Sequence, residues 1–125
     1  MGSWVYLAET YRTRIHRYPI RSYCTVGGRE DFAPLPGEHG PVGMAVHEEG
    51  NLYFAHFGGA RVAIFSPSGE MVEEIPVPGA FVTNVAFGGP DRRTLVITDV
   101  ETASLYQTRV EVPGLPLVGQ LVVTG

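Results

Sequence analysis

Apolar and polar positions in this chain alternate in short bursts, not in helical arcs. Between Pro41 and Phe65 three apolar runs, 44–46, 52–55 and 62–65, are separated by Glu48-Glu49-Gly50-Asn51 and by Gly58-Gly59. Those turn residues supply positive φ angles and local side-chain hydrogen bonds, so the pattern predicts a meander of antiparallel strands. Ser66-Pro67-Ser68-Gly69 makes a further turn, and residues 71–77 alternate into a fourth strand. One four-stranded sheet is therefore expected over 41–78. No stretch carries sustained helical periodicity. The longest candidate, Val100 to Val110, places Thr102, Ser104, Tyr106, Thr108 and Val110 at alternate positions and reads as a loop followed by a strand.

The flanks repeat this middle. Setting Trp4-Val5-Tyr6-Leu7-Ala8-Glu9 under Asn51-Leu52-Tyr53-Phe54-Ala55-His56 aligns Tyr6 with Tyr53, Ala8 with Ala55, Arg14 with Arg61 and Ile15 with Val62. On the other side 82–87 falls under 41–46, and Leu95-Val96-Ile97-Thr98-Asp99 under 52–56. The equivalent positions 9, 56 and 99 are 47 and then 43 residues apart. Periods of about 40–50 residues with four strands each are the signature of β-propeller blades. The expectation is an all-β chain of three four-stranded β-propeller blades over 4–26, 41–78 and 82–118, with 30–40 as a connecting loop. Trp4–Glu9 and 14–20 match a second and a third strand, 23–26 supplies a fourth, and the first blade lacks its innermost strand. Gln120 to Thr124 is a spare strand available for closing a ring.

Composition narrows this picture without redirecting it. A chain of 125 residues, 44% apolar, is expected to be a single domain, and sixteen glycines and ten prolines fit many turns. A net charge of −4 gives no general attraction to nucleic acid or an anionic membrane. The start MGSWVYLAE lacks a signal-peptide pattern, and no apolar run approaches the roughly 20 residues of a spanning helix. The single cysteine, Cys24, is read as a buried strand thiol in a reducing cytoplasm.

Three blades cannot close a ring, since propellers close with about four to eight. A half-ring would expose an apolar blade face at each end, and a two-fold axis would bury both by making six blades. A homodimer is therefore the expected partner arrangement.

The runs PVGMAVHEEGNLYFAHFGGARVAIFSPSGEMVEEIPVPG, VTNVAFGGPDRRTLVITDVETASLY and WVYLAETYRTRIHRY resemble the senescence-marker-protein and gluconolactonase family, in its C-terminal half. TNVAFGGPDRRTL is the strongest single piece. The resemblance implies a six-bladed propeller, a divalent cation such as calcium or zinc at the top of the central channel, and lactone or phosphoester hydrolysis. It also implies metal ligands of three kinds: a glutamate near the N-terminus, an asparagine opening a middle blade, and the aspartate of a Pro-Asp-Gly-Met motif. The first two fall upstream of Met1, and the third position is Val42 in Pro41-Val42-Gly43-Met44. Valine offers no oxygen to a hard cation that wants about six or more. No cofactor is expected on this reading; calcium or zinc enters only if the site is rebuilt.

Candidates for rebuilding it come from the repeat. Glu9, His56 and Asp99 occupy equivalent turns between second and third strands, while His39, Thr83 and Asn84 lie on loops entering first strands, on the same face of the disc. Carboxylates and a histidine recurring at one blade position are ligand or acid–base types; the competing reading is polar strand ends on a solvated rim. Other chemistry is absent from the pattern. His47-Glu48-Glu49 lacks the second histidine of a zinc-protease helix, and no Gly-x-Ser-x-Gly elbow or phosphate loop occurs. Arg12, Arg14, Arg17 and Arg21, interleaved with Tyr11, Tyr18 and Tyr23, read as a solvated outer strand in preference to a site for an anionic ligand. Two functions follow: a binding or vestigial half-propeller with the family metal site lost, or a metal-dependent lactone or ester hydrolase with a site rebuilt at a dimer centre.

Overall fold

The computed structural model describes residues 4–22, 25–35 and 40–117, so Cys24, His39 and the spare strand 120–124 lie outside the described residues. Among the described residues the chain forms antiparallel sheets and one short 3-10 turn, Thr10–Arg12, with no α-helix.

The first sheet contains β1 (Trp4–Glu9), β2 (Arg14–Ser22), β3 (Thr25–Val26) and β4 (Glu30–Pro34). β2 is its centre, pairing β1 along one edge and β4, then the short β3, along the other. Two expectations are corrected here. Residues 30–34 are a strand, not part of a linker, because Phe32 and Ala33 are buried with Ile15 in the core while Glu30 and Asp31 face Arg17 and His16. The arginine-rich segment is not a solvated outer strand: its Ile15 and His16 are buried, and Arg17 lies over the Trp4 ring at 3.9 Å and donates to the Pro67 carbonyl at 2.8 Å.

The second sheet is the predicted one, β5 (Pro41–Val46), β6 (Leu52–His56), β7 (Arg61–Phe65) and β8 (Met71–Pro76), in that spatial order. Every residue of β6 is buried. Leu52 and Phe54 pack toward the first sheet with Ile15 and Phe65, and Tyr53 and Ala55 pack toward the third with Val85 and Leu95. That two-sided burial explains why β6 reads as a continuous apolar run, and each large side chain so buried contributes about 1.5–3 kcal/mol.

The third sheet has β9 (Val82–Gly88), β10 (Thr94–Asp99) and β11 (Ser104–Arg109), ordered β11-β10-β9. Four strands were expected, and three are present among the described residues. Past β11 the chain turns away: Pro113 has no N–H for a ladder, its carbonyl accepts from the Glu48 N–H at 2.9 Å, and the Leu115 N–H donates to the Val46 carbonyl at 3.0 Å. Gly114 rests on Phe87, where any Cβ would overlap the ring.

The sequence repeat is also a backbone repeat. Glu9 pairs with Arg14, His56 with Arg61 and Asp99 with Ser104, each closing a hairpin of the same length. Just before each returning strand one non-glycine residue takes the left-handed conformation: Thr13 at φ 52°, Ala60 at 54° and Ala103 at 52°. No helix among the described residues is long and apolar enough to cross a membrane.

Candidate functional site

The first strands of the second and third sheets, β5 and β9, lie side by side, with β1 next to β5. Where β5 meets β9, a Cβ on Gly43 would run into the Asn84 side chain and come within 2.8 Å of its Cα. The entry of β5 is held from the other side by Thr10, whose hydroxyl donates to the Pro41 carbonyl at 2.8 Å. Val42 is 37% exposed at this junction, and Asn84 is exposed beside it. Asn84 Oδ1 accepts the Val85 N–H at 2.9 Å, and the Thr83 hydroxyl pairs with that of Thr98 at 2.8 Å.

Glu9, His56 and Asp99 do end equivalent strands, but each is engaged in its own hairpin. Glu9 reaches Arg12 at 3.5 Å and hydrogen-bonds the ring of His16. His56 is 3% exposed; its Nδ1 accepts from Arg61 Nε at 3.0 Å, and Gly59 packs on its ring so closely that a Cβ there would clash. Asp99 is 2% exposed and accepts from the Thr102 hydroxyl at 2.7 Å and from the N–H groups of Glu101 and Thr102. Burial alone would raise its pKa, but these bonds to the carboxylate outweigh burial and hold it below the ordinary value. All three are turn locks bonded to residues two to seven positions later.

Sequence reasoning did not single out His16, and it weighed His47 only as the start of an incomplete zinc-protease motif. His16 is fully buried, with Glu9 at Nε2 and the Asp31 carboxylate 2.9 Å from Nδ1. The Nδ1 contact is close but badly aligned, so it counts as an ion-pair approach and not as a hydrogen bond. His47 Nδ1 accepts the N–H groups of Glu49 and Asn51, both at 3.1 Å, bracing the β5–β6 turn. Alternation along β2 could have exposed His16, since it follows Ile15 in a strand where each neighbour has a partner. Among the described residues no three His, Cys, Asp or Glu side chains converge as a metal set.

Antiparallel blade-like sheets packed face to face define a β-propeller-like protein. The chain belongs to the family described as the SMP-30/gluconolactonase/LRE-like region, matched over residues 1–101. It is 34% identical over 128 aligned residues to a 6-deoxy-6-sulfogluconolactonase of Pseudomonas putida, covering 90% of this chain and 44% of that protein. To pentonolactonase XacC of Haloferax volcanii it is 35% identical over 95, covering 74% and 33%. The crystal structure of a calcium-binding protein, regucalcin, from Agrobacterium tumefaciens superposes with a TM-score of 0.78 at 25% identity, over 88% of this chain and 43% of that one. The chain thus spans less than half the length of these relatives.

The resemblance implied a cation at the channel mouth, and the one implied ligand position that lies in this chain is Val42. Val42 has no donor atom, the Asn84 carbonyl oxygen is committed to Val85, and Thr83 is committed to Thr98.

Proposed function

We propose that this chain is a gluconolactonase-like half-ring that pairs with a second copy to complete six blades, and that it serves as a binding or vestigial module in which the family metal site is lost. The observation that carries the loss is the donor chemistry at the β5–β9 junction: valine stands at the motif's aspartate position, and the asparagine beside it is turned to its own strand. Pairing is supported by the outward face of the first sheet. Val5, Leu7 and Ile20 share that face through the β1–β2 register and are 45%, 48% and 45% exposed. On the third sheet Leu105 is 69% exposed. Apolar residues on terminal blade faces are what a two-fold ring would cover.

A second reading is favoured by the relatives, two of which carry lactonase names. In it the dimer is a metal-dependent lactone or ester hydrolase whose ligands come from both copies. Elemental analysis of the purified protein, paired with a lactone-hydrolysis assay with and without EDTA, separates the two. Substoichiometric metal and no turnover is the expected result. Stoichiometric calcium or zinc with EDTA-sensitive turnover establishes the hydrolase and removes the first reading.

A further inference from the structure

At the end of β5 opposite Val42, the turn after β5 and the end of β11 line a cleft of about 490 Å³. Pockets that hold small molecules span roughly 300–1,000 Å³. Three carboxylates stand around this one: Glu49 from the β5–β6 turn, Glu73 from β8 and Glu111 past β11. Acidic groups nearby, Glu48, Glu74 and Asp91, are each paired with an arginine at 2.6 Å. No cation pairs with Glu49, Glu73 or Glu111 among the described residues. Arg109, in the cleft wall, is committed to Asp91 and to the Thr94 hydroxyl. His47 adds no proton at Nδ1, which accepts the N–H groups of Glu49 and Asn51. A second observation points to a ligand. Tyr53 also lines the cleft and is 6% exposed, yet its hydroxyl has no hydrogen-bond partner among the described residues. Its ring is held edge-on against Phe87 at 4.9 Å. Burial, and then the Glu73 carboxylate, raise the pKa of the phenol, so the hydroxyl lies within the field of a cleft carboxylate and keeps its proton. A buried hydroxyl without a partner is costly, and a ligand that pairs with it removes that cost.

We propose that this cleft binds a linear aliphatic polyamine. Its ammonium groups pair with Glu49, Glu73 and Glu111, one of them donates to the Tyr53 hydroxyl oxygen, and its methylene stem lies on Ile75 and Val112. The spread of charge selects this class. Among the described residues the three carboxylates do not converge as a set that could hold one metal ion, so they suit positive charges spaced along a chain. Ile75, Val110 and Val112 give that chain an apolar wall, as the stems of lysine and arginine find on protein surfaces. Anions are turned away by the same three carboxylates, and the net charge of −4 favours cations at longer range. This binding site goes beyond the half-ring reading and uses none of the residues at the β5–β9 junction.

Isothermal titration calorimetry of spermidine into the full chain, with amide chemical shifts read in parallel by NMR, tests this. The expected result is saturable binding of one spermidine per chain, with shifts concentrated at Tyr53, Glu73 and residues 108–112. Affinity falls steeply toward about 1 M salt, where the Debye length is about 3 Å. Tyr53→Phe, which keeps the ring, weakens binding about tenfold or more, as loss of a hydrogen bond to a charged group does. Glu73→Gln/Glu111→Gln, at exposed side chains, weakens it further. Glu70→Gln/Glu101→Gln removes the same charge outside the cleft and leaves affinity unchanged. The proposal is overturned by the absence of saturable binding, by shifts centred elsewhere, or by unchanged affinity in either cleft variant. Equal weakening in the Glu70→Gln/Glu101→Gln chain also overturns it, since that assigns the binding to overall charge. Circular dichroism checks each fold, and if Tyr53→Phe does not fold the paired glutamate variants decide. None of these readouts depends on whether the protein binds metal or hydrolyses lactones.

Discussion

Gly43 lies against Asn84 so closely that a methyl group on it would stand 2.8 Å from the Asn84 Cα. The seam between the second and third sheets is therefore set by the absence of a side chain. Gly43→Ala forces β5 and β9 apart and is expected to cost about 1–3 kcal/mol, as overpacking does. Urea denaturation of the variant checks this; an unchanged midpoint would show that the seam yields freely.

Val42 stands where the family motif has aspartate. Val42→Asp is expected to leave the Tm the same with and without calcium, because its neighbours Asn84 and Thr83 are committed elsewhere. A calcium-dependent rise would mean that the other ligands are already in place; at a calcium concentration one hundred times Kd, linkage would amount to about 2.7 kcal/mol.

Asp99 holds the last hairpin through its carboxylate, whereas Asp91 makes an exposed pair with Arg109 at 2.6 Å. Exposed pairs contribute little, and buried acceptors that satisfy several N–H and O–H donors contribute more. Asp99→Ala is thus expected to lower the Tm more than Asp91→Ala does, by differential scanning calorimetry.

The Asp91–Arg109 pair has its own acid signature. The Arg109 hydrogen bond first, then the Arg93 N–H, hold the Asp91 carboxyl down at about 2 from an ordinary 3.8. A folded-state pKa below the unfolded one gives stability that is fully present above the unfolded value and is lost as pH falls through the folded one. The stability difference between the natural chain and Asp91→Asn should therefore be constant above about pH 5 and shrink steadily toward pH 2. A difference that stays level over that range contradicts the pairing.

Leu7 sits on the outward face of the first sheet. If that face meets a second copy, Leu7→Glu shifts the mass measured by multi-angle light scattering at micromolar concentration from dimer to monomer while circular dichroism stays unchanged. A natural chain that is already monomeric there removes the half-ring pairing.

The repeat was legible because turns are local. Spacings of 47 and 43 in the sequence recur as Thr13, Ala60 and Ala103 in the left-handed region, and the middle sheet followed directly from its apolar runs. What the pattern hid depends on distant contacts. Residues 30–34 looked like linker because of the prolines that follow, yet Phe32 finds Tyr6 at 5.1 Å and Phe65 at 6.4 Å across the core. Past β11 the course of the chain is set by Pro113 and Gly114, whose bonds lead to the turn after β5 and to Arg92, contacts that no local pattern announces. For the site, residue type pointed at Glu9, His56 and Asp99, and only their partners distinguish a ligand from a turn lock.

Those locks have a consequence for how the chain acquires its shape. Because each hairpin is fastened by residues close in sequence, and β6 and its partner β7 are both enclosed on two sides, the middle hairpin has the least to wait for. It is suited to act as a nucleus from which order spreads outward in both directions, with the two flanking sheets condensing onto a template already standing.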